Sequence, residues 1–233
     1  MDVVIPLGKG SLHQDLELRY CLRSIEQYVN DVENVFIVGQ KPAFLKNVIH
    51  LAASDNDSRE QKEANIFRKI DMACRDKRVS DEFLFFNDDH FLLDPFAPDT
   101  YHYKCSLQES LSNRKVNDNY VKTLANTLGI TRTGNNFDTH CPIVYKKDWF
   151  LRSVSTAPWY QKNGFCIKSL YCNMNGIEGE YYPDLKINKQ HSVDELFSML
   201  KDRPYFSVAD QGFTPDFRIL LQMLYPDKSM YEG

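Results

Sequence analysis

The hydrophobic positions of this chain fall into short runs whose spacing alternates between that of strands and that of helices. Asp2 to Pro6 is a short β-branched run that predicts a first strand, with Gly8, Lys9 and Gly10 as a flexible turn behind it. Leu18, Leu22 and Ile25 recur at helical spacing and predict a helix over Leu16 to Tyr28. Val35 to Val38, closed by Gly39, reads as a second strand, and Val48 to Leu51 as a third. Ile66, Ile70 and Ala73 place a helix over Glu63 to Cys74. Phe83 to Phe86 is an apolar run, broken by Asn87, Asp88, Asp89 and His90 before Phe91, Leu92 and Leu93 resume it. Such a run predicts buried strand. The order of these elements through residue 95 predicts a three-layer α/β sandwich with a mostly parallel central sheet.

Beyond Pro95 the texture turns polar and loop-rich. Val116 to Leu128 is a candidate helix, and residues 153–182 are rich in aromatics, Asn and Gly. Ser192 to Lys201 reads as an amphipathic helix whose Ser192 and Glu195 form a capping box. Phe206 to Asp210 is a strand or loop, and Pro215 to Tyr225 a final helix that stops before Pro226. With no repeat or linker, the expectation is one domain over 1–233, in which 1–95 form one half and 96–233 an elaborated second half. The composition of that second half is that of a binding surface, not of a second core.

Net charge changes the picture little: at −4 it gives no sign of a general polyanion-binding surface, though a local basic cleft is compatible with it. The six cysteines lack metal-ligand spacing and contain no C-x-x-C, which points to reduced thiols in a cytoplasmic protein. The N-terminus has the pattern of a strand, not of a signal peptide, and no apolar stretch approaches the ~20 residues of a membrane span.

The chemistry concentrates at Asp88 and Asp89. Two adjacent carboxylates between apolar runs are costly in a dry core, because each ion needs a partner. Either the strand end opens into a cleft with a compensating divalent cation, or Asn87 and Asp88 form a solvated turn. In parallel sheets ligands sit beyond the carboxyl ends of strands, where this motif falls.

Several segments carry a resemblance: MDVVIPLGKG, ELRYCLRSIEQYVNDVENVFIVGQKPAFL, NIFRKIDMACRDKRVSDEFLFFNDDHFLL, the THCP at 139–142, and DQGFTPDFRILLQMLYPDKSMYE. Together they resemble the Stealth-type sugar-phosphate transferases and neighbouring nucleotide-sugar glycosyltransferases of the GT-A fold. The resemblance covers the first 95 residues well and the rest thinly. It departs at the first strand, where the Stealth pattern has an aromatic and acidic turn and this chain has PLGKG.

The resemblance implies a nucleotide-diphosphate sugar donor and a DXD-like role for Asn87-Asp88-Asp89. Asp89 would ligate Mn²⁺ or Mg²⁺, and Asp88 or Asn87 would contact the ribose or the ion's water shell. Arg19, Arg23, Arg68 and Lys69 are candidates for the remaining phosphate charge, with a solvated face as the alternative for the first two. Pro6, Leu7, Gly8 and Lys9 would border the nucleoside. His191 is a candidate third metal ligand. Strand alternation turns His90 away from Asp89, towards the core. His140, within the THCP segment, is either structural or an acceptor-site or acid/base group. Asp210 is a candidate base for the acceptor hydroxyl, or a turn former. Trp159, Tyr160, Tyr171, Tyr181 and Tyr182 are read mainly as packing residues.

The leading expectation is therefore a metal-dependent glycosyltransferase that acts on a hydroxyl of a glycan, a small molecule or a modified DNA base. Sugar-1-phosphate transfer from the same kind of donor is the alternative, and a non-catalytic nucleotide-sugar-binding module is an alternative of another class. The residues leave retaining and inverting chemistry undecided.

Overall fold

A computed structural model gives the architecture and describes residues 1–9, 11–114 and 119–233. The central sheet has five strands: β1 (Asp2–Leu7), β2 (Val35–Gly39), β3 (Ile49–Ala52), β4 (Glu82–Phe85) and β7 (Ile143–Lys146). They lie in the order β3-β2-β1-β4-β7, all parallel except β7, which runs antiparallel to β4. The expected mostly parallel α/β sandwich is thus the observed fold. The sheet is completed by β7, from beyond residue 95.

Alternation along the strands explains the layers. Val3, Ile5, Leu7, Leu84 and Phe86 face one side, packed with Leu18, Leu22 and Ile25 of α1 (Leu16–Tyr28). Val4, Phe36, Val38, Phe83 and Phe85 face the other, packed with Phe67 and Ile70 of α2 (Lys62–Arg75). The second half of the chain enters both cores. α5 (Lys147–Ser155) and α6 (Ile167–Met174) bring Phe150, Leu170 and Tyr171 to the α2 side. α8 (Pro215–Leu224) brings Phe217, Leu220 and Leu221 to the α1 side. The reading of residues 96–233 as surface without core is corrected here: their aromatics are largely core, because each helix must bury an apolar stripe against the sheet.

The apolar run from Phe83 to Leu93 is two strands in different sheets. After β4 the chain turns at Asn87 to Asp89 and enters β5 (His90–Leu92). That strand pairs antiparallel with β10 (Tyr205–Val208), and β10 pairs parallel with β9 (Lys186–Ile187). In that register His90, Ser207 and Lys186 form one row across the small sheet. The row sets Lys186 and the residues that follow Val208 beside the acidic turn. A third pair joins β6 (His102–Tyr103) to β8 (Glu180–Tyr181). The remaining helices are α3 (Leu107–Ser112), α4 (Asn119–Thr131) and α7 (Val193–Leu200). The expected helix from Val116 is described from Asn119; residues 116–118 and Gly10 lie outside the described residues. Ser192 caps α7 through the expected box with Glu195.

Candidate active site

A cleft of about 880 Å³ opens at the carboxyl ends of β1 and β4. Its floor is the turn Asn87-Asp88-Asp89. The start of α2, the loop before β7, Lys186 of β9 and the Ala209–Asp210 segment after β10 form its walls. The pairing of Phe85 with Ile143 brings the loop Asp138 to Cys141 alongside the acidic turn. The short strands thus gather residues that are distant in sequence.

Asp88 and Asp89 are both half-buried. Asp89 accepts from Lys186 Nζ at 3.0 Å. Burial first, then the charges of Asp89 and Glu17, push the Asp88 carboxyl up to about 7. Glu17, at the start of α1, is 8% exposed; Ser11 Oγ donates to its Oε1 at 2.5 Å, while its Oε2 is buried and unpartnered. This concentration of carboxylate fits a divalent cation. Among the described residues no three His, Cys, Asp or Glu side chains by themselves enclose an ion, so water and ligand oxygens would complete its shell.

At the β1 end, Pro6, Gly8 and Lys9 line the cleft, whereas the Leu7 side chain is in the core. The Leu7 carbonyl accepts from Lys69 Nζ at 2.8 Å, and the same ammonium donates to Asp55 Oδ2 at 2.9 Å. Gly39 makes that crossing possible: at φ 125° a Cβ there would lie 2.1 Å from the Leu7 oxygen and 2.9 Å from Lys69 Cε.

His140 and Asp210 line the same cleft as Asp88 and Asp89. Asp184 Oδ2 accepts from the His140 backbone N–H at 2.8 Å and lies 2.5 Å from its Nδ1. Burial raises the Asp184 carboxyl, but the His140 contacts and Lys104 outweigh it and hold the group far below its ordinary range. Asp210 opens a single tight turn, Asp210–Gly212. Lys168, 6% exposed, donates to the Thr139 carbonyl at 2.7 Å and the Cys141 carbonyl at 2.5 Å, and Lys104 donates to the Asp138 carbonyl at 2.6 Å. Two lysines thus pin the loop Asp138 to Cys141. Across the cleft, burial and then Asp138 push the Glu63 carboxyl up to about 7.

Arg19, Arg23, Arg68 and His191 do not line the cleft. Arg19 Nη1 and Arg23 Nε reach the buried Glu232 at 3.2 and 2.7 Å. Arg68 bonds to the Ser54 carbonyl and to Asn65 Oδ1. His191 Nδ1 lies 3.7 Å from Glu195 at the cap of α7. His90 is 1% exposed and stays in the core as alternation implies; burial and then Lys168 hold its imidazole well below the ordinary range. The sequence reading passed over Glu17, Asp184, Lys168 and Lys186. For Lys168 a signal existed, a lone charge within the apolar stretch FCIKSLYC; for Lys186 only the strand register supplies one.

Residues 12–110 match the family model Stealth protein CR2, conserved region 2. That match covers fewer than half of the 233 residues and is a similarity to the Stealth region. Among solved structures, galactosyltransferase LgtC in complex with donor and acceptor sugar analogues superposes with a TM-score of 0.51 at 10% identity, over 100% of this chain and 98% of that chain. Mouse xyloside xylosyltransferase 1 reaches 0.43 at 8% identity, over 89% and 97%. A glycosyltransferase involved in glycosylation of the major capsid of PBCV-1 also reaches 0.43, at 12% identity over 97% and 99%. No curated protein matches the chain by sequence. The expected Stealth resemblance and the GT-A-like fold are borne out at this level of family region and fold. Among the described residues no helix is long and apolar enough to cross a membrane.

Proposed function

We propose that this chain is a metal-dependent glycosyltransferase that takes a nucleotide-diphosphate sugar and transfers the sugar to a hydroxyl. The observation that carries the reading is the Asp88–Asp89 pair on the floor of a cleft at the carboxyl ends of parallel strands. That is where a diphosphate and its counter-ion find both charge and space. Asp88 and Asp89 would hold Mn²⁺ or Mg²⁺, which when bound neutralises the charge that develops on a diphosphate leaving group. Pro6, Gly8, Lys9 and Asn87 line the cleft; the first three would border the nucleoside, with Lys9 also offering an ammonium to phosphate, and Asn87 would contact the ribose. Lys69 shapes this end of the cleft through Leu7 and Asp55.

The loop before β7 and the segment after β10 form the acceptor side, so residues 1–95 serve the donor and 96–233 the acceptor. Asp210 takes the proton of the acceptor hydroxyl, and His140, oriented by Asp184, is the alternative for that role. The acceptor is a glycan, a small molecule or a modified DNA base. Six free cysteines support a reducing, cytoplasmic setting.

The Stealth region supports a second reading, transfer of sugar 1-phosphate from the same donor. One experiment decides between them: a panel of nucleotide sugars is incubated with the protein, Mn²⁺ and mixed acceptors, and the released nucleotide is identified. Nucleoside diphosphate is the expected product. Monophosphate, with a phosphodiester product, would establish the second reading. Binding without release from any donor would leave only a nucleotide-sugar-binding module. Asp89→Ala is expected to abolish turnover while the variant stays folded.

A further inference from the structure

We infer that Glu17, in the first turn of α1, is a further carboxylate of the cation site, acting together with Asp88 and Asp89. The inference rests on the metal-dependent reading above and adds a residue outside the acidic motif.

Position comes first. Helix α1 packs against β5, directly behind the acidic turn. Cys21 lies one turn after Glu17 on the same face. Its Sγ donates to the Asn87 carbonyl at 3.4 Å, which fixes α1 against the turn. One turn earlier, Glu17 reaches the cleft and lines it with Asp88.

Charge comes second. Asp89 already has a cation, Lys186 Nζ at 3.0 Å. Among the described residues no Lys, Arg or His pairs with Asp88 or Glu17. Glu17 is more than nine-tenths buried, yet its Oε2 has no partner. A buried carboxylate oxygen left unmet is costly and calls for a cation or a cation's water. The other charged groups facing this end are Asp15, which adds negative charge, and Lys9, which lines the cleft further towards the β1 loop.

Orientation comes third. Ser11 Oγ accepts from the backbone N–H groups of His13 and Asp15, at 3.1 and 2.9 Å, and donates to Glu17 Oε1. One carboxylate oxygen is thereby fixed and the other left over. Since among the described residues no three ligating side chains enclose an ion, Glu17 engages the cation through a bound water, a shell that Mg²⁺ in particular retains. Partners of that kind set the affinity of the ion by about 10- to 100-fold.

The test is Mn²⁺ binding, read as free Mn²⁺ by electron paramagnetic resonance during titration with MnCl₂ alone and with UDP present. Melting temperatures in EDTA are measured in parallel. Glu17→Gln keeps the shape and the bond to Ser11. It is expected to weaken Mn²⁺ binding by about 10- to 100-fold and to leave the melting temperature in EDTA equal or higher, because a repelling charge is gone. A residue that merely ties the Ser11 loop would leave Mn²⁺ affinity at the wild-type level, and that result overturns the inference while the metal reading stands. If the wild-type protein binds no Mn²⁺ even with UDP, the metal reading itself falls, and the role of Glu17 with it. Should Glu17→Gln fail to fold, Glu17→Asp takes its place: it keeps the charge but withdraws it by one methylene, and wild-type affinity there contradicts the inference.

Discussion

A carboxylate as fully buried as Glu232 survives because two guanidiniums and the Ser229 amide meet it. Burial alone would raise its carboxyl, but Arg23, Ser229 and Arg19 outweigh that and hold it below the ordinary glutamate range. The sign follows: the unfolded chain binds the proton more readily, so the stabilisation is present above the unfolded value of about 4.3 and is lost as pH falls through the lower folded value. Melting temperature measured against pH should drop on the acid side, and less steeply in Glu232→Gln. Removing one partner of a buried pair costs about 3–5 kcal/mol, which denaturant unfolding of Glu232→Gln at neutral pH would detect. The same residues mark a limit of sequence reading. The spacing of Arg19 and Arg23 shows that they share a helix face, but their partner lies 209 residues beyond Arg23, and nothing local announces it. The structure sets both on Glu232, outside the cleft where a donor phosphate was expected.

Elements with strong local signals are legible. α1 has the predicted limits because its apolar stripe is unbroken; α7 and α8 end within one residue of theirs, because a capping box starts the first and Thr214 and Pro215 the second. β7, α5 and α6 had no such signal. β7 passes straight into α5 at Lys146–Lys147 without a turn residue, so strand and helix periods run together. α6 is short and carries the buried Lys168, which masks its apolar face. Two predictions belong here. Ser192→Ala should lower stability by about 1 kcal/mol in denaturant unfolding, with the cleft unaffected. Gly39→Ala should cost about 1–3 kcal/mol from backbone conformation alone, and it should also weaken nucleotide binding, since the new methyl strikes the Leu7 carbonyl and Lys69. Equal loss of stability with unchanged nucleotide affinity would separate Gly39 from the site.

At the scale of the molecule, the cleft exists because two sheets meet at the acidic turn. The parallel sheet ends there, and the small sheet begins there with His90. Asn87, Asp88 and Asp89 could be found from sequence because carboxylates between apolar runs are chemically conspicuous. Lys186, Asp184 and Glu17 could not, since their places depend on strand register and helix packing. On this layout Asp210→Asn should reduce turnover by about 100-fold or more if Asp210 is the base, with little change in donor affinity. Steady-state kinetics that show a raised KM for donor alone would assign it to binding instead.

The central claim is that a nucleoside diphosphate binds this cleft through a divalent cation on Asp88 and Asp89. Its most direct measurement is the melting temperature of the wild-type protein and of the Asp88→Asn/Asp89→Asn double variant, titrated with UDP and GDP in Mn²⁺ and in EDTA. A ligand at a hundred times its Kd stabilises the native state by about 2.7 kcal/mol, roughly 5–10 °C in a chain of this size. The account predicts that rise for at least one nucleotide, only in Mn²⁺ and only in the wild-type protein. An equal rise in EDTA or in the double variant, or no rise with either nucleotide, would contradict it.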